Sequence, residues 1–205
     1  MGKQTKQTKW EKGFFPGAKE APTGCDWFHE IKLDGYRLLC RRDGGRVDFF
    51  TRRGYNWTKK FPGIVDSVRR LPADQLWLDG ELVVMKQQGS SCFASLQTAI
   101  GTRDQRCLAY YVFDLLYLDG KNLCGVPLES RKPLLSNLIG DGEWNLQYID
   151  HIQGDGPEFF LAACSQGLEG IVSKRSNSIY RPGVRSWDWV RAKCRGYLEI
   201  RNVRS

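Results

Sequence analysis

Hydrophobic and polar positions change period several times along this chain, and each change predicts an element. Arg37–Arg42 and Arg46–Thr51 are apolar-centred, strand-like segments on either side of Asp43-Gly44-Gly45. That is the pattern of a hairpin closed by a glycine-rich turn, following strand-like residues from Trp27. Between Gly63 and Leu71 the apolar residues Ile64, Val65, Val68 and Leu71 recur at helical spacing. Gln75–Met85 reads as two short strands broken at Asp79-Gly80. Ser91–Ile100 reads as a helix with Phe93, Leu96 and Ile100 on one face and Gly101 as its stop.

The second half continues in the same manner. Leu108–Leu118 is rich in aromatic and aliphatic residues and predicts a buried strand, turned by Asp119-Gly120. Pro127–Ile139 predicts a helix with Ser130, Arg131 and Lys132 exposed and Leu134, Leu135 and Leu138 buried. A strand over Asn145–Ile152 and a helix over Pro157–Gln166 follow, the helix resting on Phe159, Phe160, Ala163 and Cys164 and closed by Gly167. Glu169–Arg175 and Trp187–Ile200 are the last predicted strands. Hairpins with scattered helices, and no internal repeat, predict an α+β fold with largely antiparallel sheets, not a doubly wound parallel one.

Composition narrows the partner. Of 205 residues, 31 are Lys or Arg and 23 Asp or Glu, a formal net charge of +8 that suits a polyanion such as nucleic acid, or serves solubility. Residues 1–23, with Lys3, Lys6, Lys9 and Lys12, read as a basic arm ahead of a single domain over 24–205. The seven cysteines (25, 40, 92, 107, 124, 164 and 194) never form a C-x-x-C pair, and only His29 and His151 stand by to complete a metal site. Free thiols in a reducing compartment are therefore expected. With no apolar run near ~18 residues and no signal peptide, the expectation is a cytosolic chain without membrane contact.

One stretch carries candidate chemistry. In Glu30-Ile31-Lys32-Leu33-Asp34-Gly35-Tyr36-Arg37, strand alternation places Glu30, Lys32 and Asp34 on one face and Ile31 and Leu33 on the other, in apolar packing. Such a face is either an ion-pair cluster or the seat of a lysine nucleophile. A lysine amine at its ordinary pKa of ~10.4 is neutral in only about one molecule in a thousand near pH 7, so a nucleophilic role requires nearby cations or a divalent metal. Carboxylates for such a metal occur in Asp79-Gly80-Glu81, expected at a turn, and Glu169-Gly170, at a strand start. On the last strand Trp189, Arg191, Lys193 and Arg195 alternate with Val190, Ala192 and Cys194, giving one cationic face and one apolar face.

The ordered set E-I-K-L-D-G-Y-R, T-R-R-G, L-D-G-E-L-V, Y-Y-V-F-D-L-L-Y-L-D-G, L-E-G-I-V-S-K-R and W-V-R-A-K resembles the covalent nucleotidyltransferases. Among these it is most similar to ATP-dependent DNA ligases, in particular the ligase domain of bacterial end-joining ligase D, over Trp27 to Cys194. The resemblance implies two largely antiparallel sheets flanked by helices, an ATP-grasp-like nucleotidyltransferase domain. It also implies that Lys32 takes AMP from ATP as a phosphoramidate and passes it to a DNA 5′-phosphate for nick sealing in repair.

By matching positions, Glu30 and Ile31 would line the nucleotide, Arg37 the ribose or phosphates, Glu81 the ribose hydroxyls, and Phe113 the adenine face. Lys193 and Arg191 would meet the α-phosphate, Glu169 with Asp34 would hold Mg²⁺ or Mn²⁺, and Arg52 or Arg53 would touch DNA. Arg191 departs from the family pattern, which has lysine there, exchanging a compact ammonium for a planar fork. The chain ends at Ser205, eleven residues past Cys194, too few for the OB-fold domain that follows in the family. Implied partners are nicked or broken duplex DNA and an OB-fold or end-joining protein in trans, with the chain itself a monomer in the bacterial cytosol or nucleoid. The alternatives are an RNA ligase, a capping guanylyltransferase, or a catalytically weak nucleic-acid-binding module.

Overall fold

The computed structural model describes residues 21–85, 91–102, 106–184 and 186–194. Along the chain run β1 (Thr23–Ile31), β2 (Tyr36–Asp43), β3 (Arg46–Thr51), α1 (Pro62–Arg70), β4 (Gln75–Val84), α2 (Phe93–Thr102) and β5 (Leu108–Leu118). There follow β6 (Lys121–Asn122), α3 (Leu128–Ile139), β7 (Leu146–Tyr148), β8 (Ile152–Asp155), α4 (Gly156–Ser165), β9 (Gly170–Arg175) and β10 (Trp189–Lys193). The architecture is α+β, with two sheets whose pairings are antiparallel except for β5 with β7. None of the described helices is long and apolar enough to cross a membrane.

The chain divides into two compact units. Of the described residues, the first takes 21–32, 151–176 and 186–194; the second takes those within 33–150 and 177–184. In the first unit the strands run β10-β9-β1-β8. Ile171, Ala192 and Ala163 form a small core with Ala21, and Phe159, Phe160 and Leu168 pack against it. In the second the order is β3-β2-β4-β5-β6, with β7 beside β5. The larger core here includes Leu38, Phe49, Leu78, Leu82, Tyr110 and Val112 from the strands and Ile64, Val68, Leu96 and Leu135 from the helices.

Several predicted elements are corrected. Gln75–Val84 is one continuous strand rather than two, because β2 and β5 pair along both of its edges and override the turn preference of Asp79-Gly80. The expected strand over 145–152 is two short strands in different sheets, β7 against β5 and β8 against β1. Helix α2 runs through Gly101 to Thr102. On α3, Arg131 and Lys132 are buried while Leu134 is 41% exposed, the reverse of the expectation. Both cations are satisfied: Arg131 pairs with Asp114, and Lys132 donates to the Ile149 carbonyl at 2.7 Å with its ammonium 4.5 Å from the Tyr148 ring centroid. Cys164 and Cys194 form a disulfide where free thiols were expected; Cys25, Cys40, Cys92, Cys107 and Cys124 remain outside any disulfide. Of the strand expected over 187–200, β10 covers 189–193, and the expectations for Arg195 and for residues 1–20 lie outside the described residues.

His29 is buried in the first unit, where Nε2–H donates to the Gly154 carbonyl at 3.3 Å and Nδ1 accepts from the Ser173 hydroxyl at 2.8 Å. That pair of bonds suits the neutral ring. Burial holds the imidazole below its ordinary pKa, against smaller opposing pulls from the Gly154 carbonyl and Asp155. The unfolded chain therefore takes up a proton that the fold disfavours, and stability is lost as pH falls below the ordinary value of ~6.5. Urea midpoints are expected to drop between about pH 7.5 and about pH 5.5. His29→Gln should flatten that slope; an unchanged slope in the variant would exclude His29 as its source.

Candidate active site

The predicted residues fall into two sets, one in each unit. In the first unit the set is built by strand register. Cross-strand rows on one face of the sheet are Phe28–Lys174–Trp189 and Glu30–Val172–Arg191. The Lys32 amide donates to the Gly170 carbonyl at 2.9 Å just past β1, and Gly170 is paired with Lys193, so a third row follows. Antiparallel neighbours share a face, and this lattice brings the cations of three strands together. On the opposite face Ile171, Ala192 and Val190 are buried. Ile31 was expected in apolar packing but is 38% exposed, because the strand ends there.

The centre of this set is Glu169. Its buried carboxylate accepts from Lys32 Nζ at 2.7 Å through Oε2, and its Oε1 lies 2.8 Å from Lys193 Nζ. Two lysines from different strands thus meet one carboxylate. Gly170 makes the arrangement possible: its φ of 146° is one that L side chains rarely adopt, and a Cβ there would lie 2.0 Å from the Ala192 carbonyl oxygen. One row away, Lys174 Nζ is 2.6 Å from Glu30 Oε2 and 4.3 Å from the Trp189 ring centroid, with both ionic groups buried. Glu30 is therefore held from β9.

In the second unit, Arg37, Asp79, Glu81 and Phe113 converge. Arg37 is paired in the ladder with Glu81, one residue pair along from Gly80 opposite Leu38. Its guanidinium forms a double hydrogen bond with buried Asp79, Nε to Oδ1 at 2.9 Å and Nη2 to Oδ2 at 2.5 Å, and its Cζ lies 5.5 Å from the Phe113 ring centroid. Phe113 is the extra residue of a bulge in β5 opposite the Asp79–Gly80 step, and the bulge re-aims it out of the ladder. The ring is only 9% exposed. Gly35 serves a close approach: a Cβ on it would sit 2.1 Å from the Leu82 carbonyl oxygen. Asp34 is buried, and its amide donates to Ser91 Oγ at 2.7 Å. Arg52 and Arg53 are exposed in the turn that ends β3.

Among the described residues no three His, Cys, Asp or Glu side chains cluster as a metal cage. A lone buried carboxylate fits Mg²⁺ in the way such ions usually bind, through one or two carboxylates with substrate phosphates completing the shell. In the first unit Glu169 is the buried carboxylate beside Lys32 and Lys193 that could hold one. Sequence reasoning singled out Lys32, Glu169 and Lys193. It missed Lys174 and Tyr180, and it read Asp79 only as part of a turn. Lys174 sits inside the L-E-G-I-V-S-K-R motif at even spacing from Gly170 and Val172, on the face that carries the cationic rows, which was a usable signal; Tyr180 offered none.

Lys32, just past the end of β1, shares the buried Glu169 carboxylate with Lys193, and the family model described as the ATP dependent DNA ligase domain matches residues 18–193. The chain belongs to this family, as an adenylation domain. Within it the chain is similar to end-joining ligases: it is 36% identical to the multifunctional non-homologous end joining protein LigD of Pseudomonas aeruginosa, over 99% of this chain and 25% of that protein. It is 33% identical to the SPbeta prophage-derived DNA ligase-like protein LigB of Bacillus subtilis, over 85% of this chain and 64% of that one. A mycobacterial DNA ligase D solved in complex with ATP and MES matches with a TM-score of 0.74 and 33% identity, over 85% of this chain and 56% of the solved one. The chain thus spans about a quarter of the Pseudomonas relative and a little over half of the solved ligase D chain.

Proposed function

We propose that this chain carries out lysine-adenylate chemistry in DNA ligation. The neutral Lys32 amine attacks the α-phosphorus of ATP, an N–P bond forms, the α–β phosphoanhydride P–O bond breaks, and pyrophosphate leaves. The AMP then moves to a DNA 5′-phosphate, and a 3′-hydroxyl displaces it to close a nick. The observation that carries this reading is the Lys32–Glu169–Lys193 cluster, in which the candidate nucleophile is held beside a second cation that suits a phosphate. Lys193 and Arg191 meet the α-phosphate, and Glu30 and Ile31 line the nucleotide. Arg37 contacts ribose or phosphate, Glu81 the ribose hydroxyls, and Phe113 the base. Arg52 and Arg53, exposed cations, contact the DNA backbone.

Glu169, with Asp34, would hold Mg²⁺ or Mn²⁺, which would supply polarisation of the phosphoryl oxygens. A metal on Glu169 would compete with Lys32 and Lys193 for that carboxylate, since both lysines pair with it. The remaining steps belong to the chain's own groups. Lys32 must shed its proton before it attacks, and Lys193 stays as the cation that balances the phosphate.

Incubation with ATP and Mg²⁺ is expected to add the mass of one AMP to the intact chain, as read by mass spectrometry. Labelled GTP given alone should add nothing. A covalent label from GTP alone would move the chain to the capping class. Salt-sensitive DNA binding with no covalent label would make it a binding module.

A further inference from the structure

Arg37 does not stand alone. Asp79, to which it is doubly hydrogen-bonded, also accepts from the Tyr180 hydroxyl at 2.7 Å, and that hydroxyl in turn accepts from Arg37 Nη2 at 3.3 Å. Three side chains from β2, β4 and the Asn177–Val184 segment close a ring of hydrogen bonds beneath one guanidinium. The segment is itself fixed at two points of the second unit. The Ser178 carbonyl accepts from the Leu128 amide at 2.9 Å and from Arg131 at 3.1 Å, and the Tyr180 amide donates to the Cys124 carbonyl at 2.8 Å. Arg131, in turn, is locked by its two bonds to Asp114, at 2.8 and 2.9 Å.

This is far more enclosure than an ion pair at a half-open site needs for stability. A pair with one member open to water contributes little to stability, and a free arginine keeps much of its rotamer entropy. The Asp79 carboxylate that holds it is buried, so the arrangement carries a desolvation cost. Where an arginine must present a planar fork to an anion, restricting it beforehand removes an ordering penalty from binding. The phenol is a dependable donor, since burial and the neighbouring Asp79 both push its ionisation up.

We propose that Asp79 and Tyr180 are positioning residues for nucleotide transfer, holding the Arg37 guanidinium over the Phe113 ring in the orientation that meets ATP. The inference rests on the reading of Arg37 as a nucleotide contact. Asp79 and Tyr180 act through Arg37 and need not touch the nucleotide themselves.

The test is the rate of covalent AMP capture by the full chain as a function of ATP concentration. Tyr180→Phe is expected to raise the half-saturating ATP concentration about three- to tenfold, the scale of one hydrogen bond to a charged network, with the maximal rate within about twofold. Asp79→Asn should act in the same direction and at least as strongly. In an Arg37→Ala background neither substitution should add anything, the signature of a residue that works through its neighbour.

If Arg37→Ala itself leaves ATP dependence unchanged, or if the wild-type chain captures no AMP, the reading of Arg37 fails and takes the proposal with it. If Arg37→Ala matters but Tyr180→Phe and Asp79→Asn are silent, or shift ATP dependence equally in both backgrounds, the positioning role is overturned while that reading stands. A fall in thermal midpoint with half-saturation and maximal rate worsening together would mark a structural role and overturn it too.

Discussion

Lys32→Ala is expected to remove covalent AMP capture to the detection limit, a loss of about a thousandfold or more, while salt-sensitive DNA binding is largely retained. The loss should be chemical and not structural. Without Lys32 the Glu169 carboxylate keeps its ion pair with Lys193, so no buried charge is stranded. The strand is not lost either, because the bond that extends the ladder past β1 comes from the backbone amide of residue 32 to the Gly170 carbonyl. The partly exposed Lys32 pair should contribute on the order of 1 kcal/mol or less to stability.

Lys32→Arg separates the two roles the stretch could serve. Arginine retains the positive charge and the partnership with Glu169, but it stays protonated and does not form the phosphoramidate. An ion-pair cluster would be rescued by it; a nucleophile would not. Intact-mass measurement after ATP and Mg²⁺ gives the answer for all three proteins. A label retained in Lys32→Ala would transfer the nucleophile to another residue and end the present assignment. DNA binding lost in parallel would instead show that Lys32 serves the polyanion directly.

Much of this site could be read before any coordinates because strands announce their faces. Alternation alone separated Val190 and Ala192 from Arg191 and Lys193, and the first pair is buried. Lys32 stood out on the charged face it shares with Glu30 and Asp34, and Glu169 because it precedes a glycine at a strand start, where Gly170 leaves no room for a side chain. What was not legible is what depends on pairing at a distance. Asp79-Gly80 has turn chemistry locally, and only the presence of β2 and β5 on either side makes it the middle of a strand. Arg131 and Lys132 look solvent-facing in any local pattern; their burial depends on Asp114 and the Ile149 carbonyl, each 17 residues away. Tyr180 reaches Asp79 across 101 residues, and no periodicity marks such a contact. The Cys164–Cys194 bridge, 30 residues apart, was hidden for the same reason.

Asp114→Ala is expected to be the most damaging single substitution for the stability of the second unit, at about 3–5 kcal/mol. Both members of the Arg131–Asp114 pair are fully excluded from solvent. The cost of burying two charges is met by paired hydrogen bonds between them, and Arg131 also donates to the Val126 and Ser178 carbonyls. Removing the carboxylate leaves a guanidinium that neither reaches water nor loses its charge. Replacing both partners with apolar residues of similar volume, as in Arg131→Met with Asp114→Val, should recover much of the loss, since the penalty comes from the orphaned charge more than from the missing attraction. Recovery will be incomplete because the Val126 and Ser178 carbonyls lose a donor. Urea denaturation of the two variants beside the parent decides the matter. If the double variant proves as unstable as Asp114→Ala, the pair stabilises through its own bonds and not by neutralising each other. If Asp114→Ala costs under about 1 kcal/mol, in the range of an exposed pair, Arg131 has found another partner and the site is not closed to water.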